Sequence, residues 1–287
     1  MELWIFLLFP LSCSLIPLYC FVAKVNIMNS FFIGLQFLTR ISIVKQTVWT
    51  EESFGKSVKF FPAVGAVLGI SYVVIISILT YFAGGLLSNA FPMLKAAAAL
   101  MSMIILTGAI HCDGFMDTFD GLFSGRERER ILEIMKDSRV GAFGVVSFVM
   151  IALFNFAVLT ELANLSTWAL LPAIYSAPII GRFIMVITIG SFPYARPEGM
   201  GKAFAEYTTR STVIFASVET LILLSPLILI SQAMIQPLII PLVVTLAFSL
   251  YFGRFSTKKI GGVTGDIYGA VTTISEALVL LSFLLNF

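Results

Sequence analysis

The 287-residue sequence is poor in charged residues. Only 12% of its residues are Asp, Glu, Lys or Arg, whereas 59% are hydrophobic. Soluble domains usually carry about 25% charged residues, because their surface must be covered by polar groups. The composition therefore excludes an ordinary soluble enzyme and a disordered chain. The net charge of only +2 argues against a nucleic-acid partner.

Cysteine and histidine are also scarce. The three cysteines, Cys13, Cys20 and Cys112, are too few for a disulfide framework and lack the spacing of a zinc site. The single histidine, His111, excludes a His-rich metal centre. Any metal chemistry must therefore rest on carboxylates, which favours a hard cation such as Mg²⁺.

Long apolar runs dominate the chain instead. A bilayer core about 30 Å thick needs about 20 apolar residues per helix. Runs of this kind, two of them short, lie at about 3–23, 60–83, 95–110, 141–160, 168–192, 213–235, 237–253 and 269–287. Because helices satisfy their own backbone groups in lipid, the sequence predicts an all-α, polytopic membrane bundle. It has seven transmembrane helices, or eight if the first run is included.

The first 27 residues differ from the rest of the chain. They contain Glu2, Pro10 and Pro17 and no basic segment, so they make a poor signal peptide. We interpret residues 1–27 as an N-terminal extension or an extra helix. Residues 28–287 are predicted to form a single membrane-embedded domain.

Basic residues are unevenly distributed among the loops. Most of the 18 Lys and Arg residues lie at about 42–59, 111–140, 193–211 and 254–268. The alternating loops, at about 84–94, 161–167 and 234–236, contain none. The positive-inside rule places the basic loops in the cytoplasm and the C-terminus outside. We therefore expect the active site to face the cytoplasm.

The most informative segment begins HCDGFMDTFDG, at residue 111. Asp113, Asp117 and Asp120 recur at i, i+4 and i+7, so on a helix their carboxylates share one face. Carboxylates this close repel one another. A divalent cation relieves the repulsion, and Mg²⁺ typically uses a few carboxylates, water and substrate phosphates. The spacing therefore favours a Mg²⁺ site over a merely solvated loop.

Candidate phosphate ligands lie in the same set of loops. Lys136 and Arg139, at i and i+3, are followed along the chain by Arg196 and Lys202. A guanidinium binds phosphate oxygens in pairs, and a lysine acts as a point charge. Asp137, between the first two, is a further candidate ligand of the metal. The RERER run at 126–130 is more typical of an exposed helix face.

The last basic loop, KKIGGVTGDIYGA, is rich in glycine. Backbone N–H groups around Gly262 and Gly265 can face an anion, so these glycines are candidates for substrate binding. Asp266 adds a carboxylate to the predicted metal ligands. A flexible turn between two helices is the simpler interpretation of this loop taken alone.

Three ionisable residues, Arg182, Glu219 and Glu276, fall inside apolar runs. Such residues are costly in hydrocarbon and usually line a cavity or pair with one another. At 1.5 Å per residue they would lie roughly 10–15 Å below the cytoplasmic helix ends. They are predicted to form the floor of a cytoplasm-facing cavity, with Arg182 binding substrate, or a structural Arg–Glu pair.

Several of these segments together resemble one family. HCDGFMDTFDG, IMKDSRVGAFG, PYARPEGMG and GGVTGD, with FLTR (37–40) and FFPAVGAVLG (60–69), resemble the cobalamin synthases, which are adenosylcobinamide-GDP ribazoletransferases. The resemblance runs from about Met28 to the C-terminus. Residues 1–27 have no counterpart, and Cys112 stands where a leucine is expected.

The resemblance implies a reaction in the inner membrane of a prokaryotic cell. Such enzymes join adenosylcobinamide-GDP to α-ribazole or its 5′-phosphate, releasing GMP and forming adenosylcobalamin or its 5′-phosphate, with Mg²⁺. By this resemblance the diphosphate and its metal would lie between the aspartates and the basic residues. His111 or Asp120 would act as general base. Whether other enzymes of the pathway or a second copy bind the chain stays open.

Other classes of protein stay open on the residues alone. A CDP-alcohol phosphotransferase also has spaced aspartates, but its motif has Ala-Arg where Asp117 and Thr118 stand. An aromatic prenyltransferase needs two separate aspartate-rich motifs, and only one is clear in this sequence. A transporter would use the buried ionisable residues, and it predicts polar residues on both membrane faces, whereas the outer loops are nearly free of charge.

Overall fold

A computed structural model describes residues 29–44, 50–85 and 88–286, which are almost entirely helical. The helices are α1 (Asn29–Leu38), α2 (Glu51–Gly55), α3 (Phe61–Phe82), α4 (Pro92–Leu106), α5 (Ile110–Leu122), α6 (Arg128–Ile134), α7 (Ala142–Leu165), α8 (Thr167–Ser191), α9 (Met200–Tyr207), α10 (Arg210–Ile230), α11 (Ile235–Ile260) and α12 (Gly265–Asn286). The predicted extension and the first apolar run lie outside the described residues.

Among the described residues, six helical segments are long and apolar enough to cross a bilayer: α3 with the short helix before it, α7, α8, α10, α11 and α12. Helices α4 and α5 give a seventh span if they are counted together, although they are bent by 85°. The predicted all-α membrane bundle is confirmed. The seven runs predicted after the N-terminal segment correspond to these seven units.

The break between α4 and α5 changes the direction of the chain. Gly108 and Ala109 both adopt left-handed conformations, with φ of 62° and 60°. The side chain of Arg40 packs where a Cβ on Gly108 would be. The backbone N–H of Arg40 donates to Leu106 O at 2.7 Å. Helix α5 therefore leaves the axis of α4 and lies against α12. The predicted apolar run at 95–110 ended at the first residue of α5, Ile110.

Helices α8 and α12 form the centre of the bundle. In each, 78% of the most apolar 18-residue window is buried, compared with 17% for α10 and 22% for α7. Helix α3 approaches α8 closely at Gly65 and Gly69, where an added Cβ would collide with the backbone of Pro178 and Tyr175. Small residues allow such close approach between helices in a membrane. The central helices carry two of the ionisable residues that fall inside apolar runs, Arg182 on α8 and Glu276 on α12.

Candidate active site

The acidic helix α5 crosses the start of α12 at a pair of glycines. A Cβ on Gly114 would lie 2.9 Å from the carbonyl oxygen of Asp266, and one on Gly269 would lie 3.3 Å from the Cα of His111. Only glycine permits backbones this close. The crossing brings Asp113 and Asp117, which flank Gly114 on α5, towards Asp266.

The carboxylates at this crossing form one electrostatic group. Asp113 is exposed and Asp117 is half-buried. The charges of Asp266, Asp113 and Asp120 all act on Asp117, and Arg196 is the opposing positive charge. Asp113, Asp117 and Asp120 all lie on helix α5, so the helical conformation on which their shared face depends is present. We call Asp113, Asp117 and Asp266 the acidic stripe.

Arg196 joins three of the basic loops. Its Nη2 donates to Asp266 Oδ2 at 2.8 Å and to Met135 O at 3.2 Å. The hydroxyl of Thr264 also donates to Asp266 Oδ2, at 3.2 Å. The Arg196 side chain is only 11% exposed. Its guanidinium therefore fixes the end of α6 and the first turn of α12 beside the acidic stripe.

The glycine-rich loop contacts the segment that carries Arg196. Ala195 N–H donates to Val263 O at 2.8 Å, and Val263 N–H donates to Pro193 O at 2.9 Å. A Cβ on Gly262 would collide with the backbone of Pro193. Gly262 is thus required for close packing, whereas an added Cβ on Gly265 would meet nothing within 4 Å. Their predicted role in binding phosphate stays a prediction.

Asp120 has a structural task that its spacing did not reveal. Its carboxylate accepts the backbone N–H of Gly141 at 2.7 Å and that of Gly144 at 2.8 Å. These groups belong to the N-terminal turn of α7, whose N-cap residue provides no side-chain hydrogen bond. A carboxylate there satisfies free donors and interacts favourably with the helix dipole. Its predicted roles as metal ligand and base stay predictions.

We expect Asp120→Asn to lower the free energy of unfolding by about 1–3 kcal/mol, because the amide can accept only one of the two N–H groups. Denaturant unfolding in detergent would measure this change. Asp113→Asn is the matched control, since Asp113 is exposed and should tolerate the amide. Unchanged stability with lost activity in Asp120→Asn would instead place this carboxylate in the reaction.

The predicted phosphate ligands Lys136 and Arg139 lie in a segment anchored at both ends. Met135 packs on Gly121 and accepts from Arg196, and Gly141 donates to Asp120. Between these anchors, Arg139 pairs with Asp137 through an Nη2–Oδ2 contact of 2.7 Å. Hydrogen bonds from Arg139 lower the pKa of the Asp137 carboxyl to about 2. Lys136 is exposed and has no ion pair within the described residues.

Asp137 and Arg139 are paired with each other rather than with a residue of the acidic stripe. Asp137 as a metal ligand and Arg139 as a phosphate ligand stay predictions, and each would have to leave the other to act. Lys202, on the exposed side of α9, lies 3.6 Å from Glu206, one turn later. Lys202 would likewise have to leave Glu206 to bind a phosphate, so its predicted role in substrate binding stays a prediction.

The buried ionisable residues divide into two sets. Arg182 forms an ion pair with Glu276, with no side-chain exposure for the arginine and 11% for the glutamate. The predicted Arg–Glu pair is thus present. Glu219 is elsewhere, since it accepts the backbone N–H of Ala63 at 3.2 Å in the first turn of α3. The predicted common floor is therefore not formed by all three residues.

His111 lies on the other side of α5 from the acidic stripe. It is 6% exposed, and its Nε2 has no hydrogen-bond partner within the described residues. At about 100° per residue, two positions turn the helix by about 200°, so His111 and Asp113 point apart. The histidine lines a small interior cavity instead.

The acidic stripe offers hard ligands to a cation. Among the described residues, no three His, Cys, Asp or Glu side chains are already arranged as a ligand set. Mg²⁺ usually keeps several waters and binds through one or two carboxylates together with substrate phosphates. Oxygen donors on Asp113, Asp117 and Asp266, beside Arg196, fit a Mg²⁺ ion that arrives with a diphosphate.

The amino-acid sequence is similar to those of several named bacterial proteins. A relative in Fusobacterium nucleatum is 36% identical over 271 residues, covering 90% of this chain and 97% of its own, and is named adenosylcobinamide-GDP ribazoletransferase. A protein of the same name in Desulfitobacterium hafniense is 39% identical over 255 residues, covering 88% and 96% of the two chains. No solved structure matches the chain.

The family profile described as cobalamin-5-phosphate synthase matches residues 30–284. This span contains every motif from which the resemblance was drawn, and it omits the N-terminal segment that had no counterpart. The resemblance is therefore confirmed. The chain belongs to the cobalamin-5-phosphate synthase family.

Proposed function

We propose that this protein transfers the adenosylcobinamide phosphate group of adenosylcobinamide-GDP to α-ribazole or α-ribazole 5′-phosphate, releasing GMP, with Mg²⁺. The observation that carries the proposal is the acidic stripe, held against Arg196 where three basic loops meet, in a chain of this family. Such a site suits a diphosphate, which needs both cations and a metal-binding face.

In the proposed reaction, a hydroxyl of the acceptor attacks the phosphorus attached to cobinamide. The new P–O bond forms as the phosphoanhydride bond to GMP breaks, and GMP leaves with the bonding electrons. Asp113 and Asp117 would accept the hydroxyl proton more readily than the other candidate bases. Asp120 is bonded to two backbone N–H groups, and His111 points away from the stripe.

Basic side chains would hold the phosphates during transfer. Arg196 is already oriented by Asp266. Lys136 is free to reach a phosphate from the anchored segment nearby. Mg²⁺, held by the acidic stripe, would neutralise the diphosphate and polarise the phosphorus.

The basic loops meet at one end of the bundle, which supports a site on the cytoplasmic face of a prokaryotic inner membrane. Arg128 Nε, for example, donates to Ile260 O at 2.9 Å, joining α6 to the end of α11. Inverted membrane vesicles should therefore use added adenosylcobinamide-GDP, whereas right-side-out vesicles should not.

The proposed function is tested by single-turnover release of GMP. Detergent-purified protein would receive adenosylcobinamide-GDP with and without α-ribazole 5′-phosphate, and with Mg²⁺ or EDTA. We expect GMP only when acceptor and Mg²⁺ are both present. If folded protein releases no GMP, the proposed transfer is wrong. If EDTA has no effect, only the metal assignment is wrong.

A further inference from the structure

A groove of about 560 Å³ reaches the first residue of α5, the helix that carries Asp113 and Asp117. Its walls come from α1, α2, α9 and the first residue of α5, and they include Phe37, Phe54, Ile110 and Met200. Its volume is in the range of sites that bind a small organic molecule. Phe37 belongs to the FLTR segment, which the proposed reaction has not yet used, and Met200 lies four residues after Arg196 in PYARPEGMG.

One wall of the groove is aromatic. The rings of Phe37 and Phe54 meet edge to face at 4.8 Å, and Phe54 stacks on Phe204 at 5.0 Å. Gln36 and Glu51 add polar groups to the lining. A flat aromatic group joined to a sugar suits this combination, because aromatic rings pack well on such walls and sugar hydroxyls need polar partners.

The groove reaches the helix that carries Asp113 and Asp117, because Ile110 lines it. Ile110, Asp113 and Asp117 are at i, i+3 and i+7 on α5, so they lie along one face. On the other side, Gly199 and Met200 directly follow the segment that carries Arg196. A molecule in the groove would thus have one end beside the carboxylates.

Building on the transfer proposed above, we propose that this groove binds the aromatic base of the acceptor nucleoside and directs its ribose towards Asp113. The acceptor is a single nucleoside, whereas the donor joins a corrinoid to a nucleotide and is several times larger. The volume of the groove favours the smaller molecule.

The test is to fill the groove with Met200→Trp. Met200 is 65% exposed at the first residue of α9, so a larger side chain can enter the groove without disturbing the core. Met93→Trp is the matched control, because Met93 is 62% exposed in the first turn of α4, away from the groove. We expect the KM for α-ribazole to rise about tenfold or more with Met200→Trp. The KM for adenosylcobinamide-GDP should stay within twofold, and the control should match wild type.

Phe37→Leu tests the same groove by removing an aromatic wall, and it should also raise the acceptor KM. An unchanged acceptor KM in both groove variants, or a rise in the donor KM alone, overturns the assignment while leaving the transfer intact. Failure of wild type to release GMP would instead refute the transfer itself. If Met200→Trp is inactive, calorimetric titration with α-ribazole decides, since lost acceptor binding supports the site and retained binding refutes it.

A second observation concerns a small interior cavity of about 30 Å³ between α4, α5, α7 and α12. His111 Nε2 and Asn155 Oδ1 are buried without a hydrogen-bond partner in the described chain, and both residues line it. Glu276, the partner of Arg182, lines it too. A water molecule needs about 10–15 Å³ and several polar partners.

We infer that this cavity holds one or two water molecules that bridge His111 to Asn155 and Glu276. Unsatisfied polar groups are costly inside a membrane protein, and a bridging water satisfies them. The bridge would connect α5 to the buried ion pair. Asn155, which no motif singled out, is then a positioning residue for the helix that carries the acidic stripe.

The single histidine makes this inference directly testable. In protein labelled with ¹⁵N-histidine, only His111 contributes imidazole signals. Asn155→Leu should shift these signals and lower kcat for GMP release about tenfold, with both KM values unchanged, and Asn155→Ser should restore part of each effect. Thr160→Val is the control, because its hydroxyl bonds within α7, to Phe156 O. Unchanged imidazole signals or an unchanged kcat in Asn155→Leu would refute the bridge.

Discussion

Replacing Asp117 by asparagine should reduce GMP release at least 10²-fold while making the metal-free protein slightly more stable. Asp117 is at the centre of the acidic stripe, where the charges of Asp113, Asp120 and Asp266 all act on it. Removing its charge takes away a ligand for Mg²⁺ and thereby the stabilisation of the transferred phosphoryl group. It also relieves repulsion worth a few tenths of a kcal/mol per pair.

The two effects should be measured on the same preparations. Single-turnover GMP release gives the activity, and thermal unfolding with and without Mg²⁺ and substrate gives the stability. A ligand stabilises the folded state that binds it, so the wild type should be stabilised by Mg²⁺ with donor and Asp117→Asn much less. Glu133→Gln, on the exposed pair with Arg130, is the control.

Different outcomes separate the possible roles of Asp117. Near-normal release from Asp117→Asn would remove the acidic stripe from the reaction. Loss of release together with a lower unfolding temperature would indicate that Asp117 supports the fold. Only lost release with retained stability agrees with the proposed site.

The helices were predictable because their signal is local. An uninterrupted apolar run in lipid must form a helix to satisfy its backbone groups. The predicted run at 60–83, for example, corresponds to Phe61–Phe82. The break after Leu106 was not predictable in the same way. It places Ala109 in a left-handed conformation, which a non-glycine residue adopts only where the surrounding structure requires it.

Only those features of the site that lie within one helix were predictable from the sequence. The spacing of Asp113 and Asp117 indicated one face, and the same period could have shown that His111 points the other way. The bond from Arg196 to Asp266 joins residues 70 positions apart and depends on tertiary packing. The capping of α7 by Asp120 is likewise a contact between separate elements.

Removing either member of the buried ion pair should destabilise the protein by about 3–5 kcal/mol, because the remaining charge is left buried without its partner. The Arg182 side chain is fully buried, and its Nε and Nη2 have no further partner within the described residues. Arg182→Met and Glu276→Leu should therefore each lower the free energy of unfolding strongly. The double variant should come within about 1–2 kcal/mol of wild type or exceed it, since well-packed apolar residues often replace a buried pair without loss.

Unfolding of the four proteins in one detergent completes this double-mutant cycle, and GMP release from the double variant assigns the function of Arg182. If the double variant is folded and active, the arginine serves the bundle rather than the substrate. If it is folded and loses more GMP release than Asn155→Leu does, the sequence-based prediction that Arg182 binds substrate gains direct support. Additive losses in the cycle would contradict the pairing itself, because independent residues show no interaction energy.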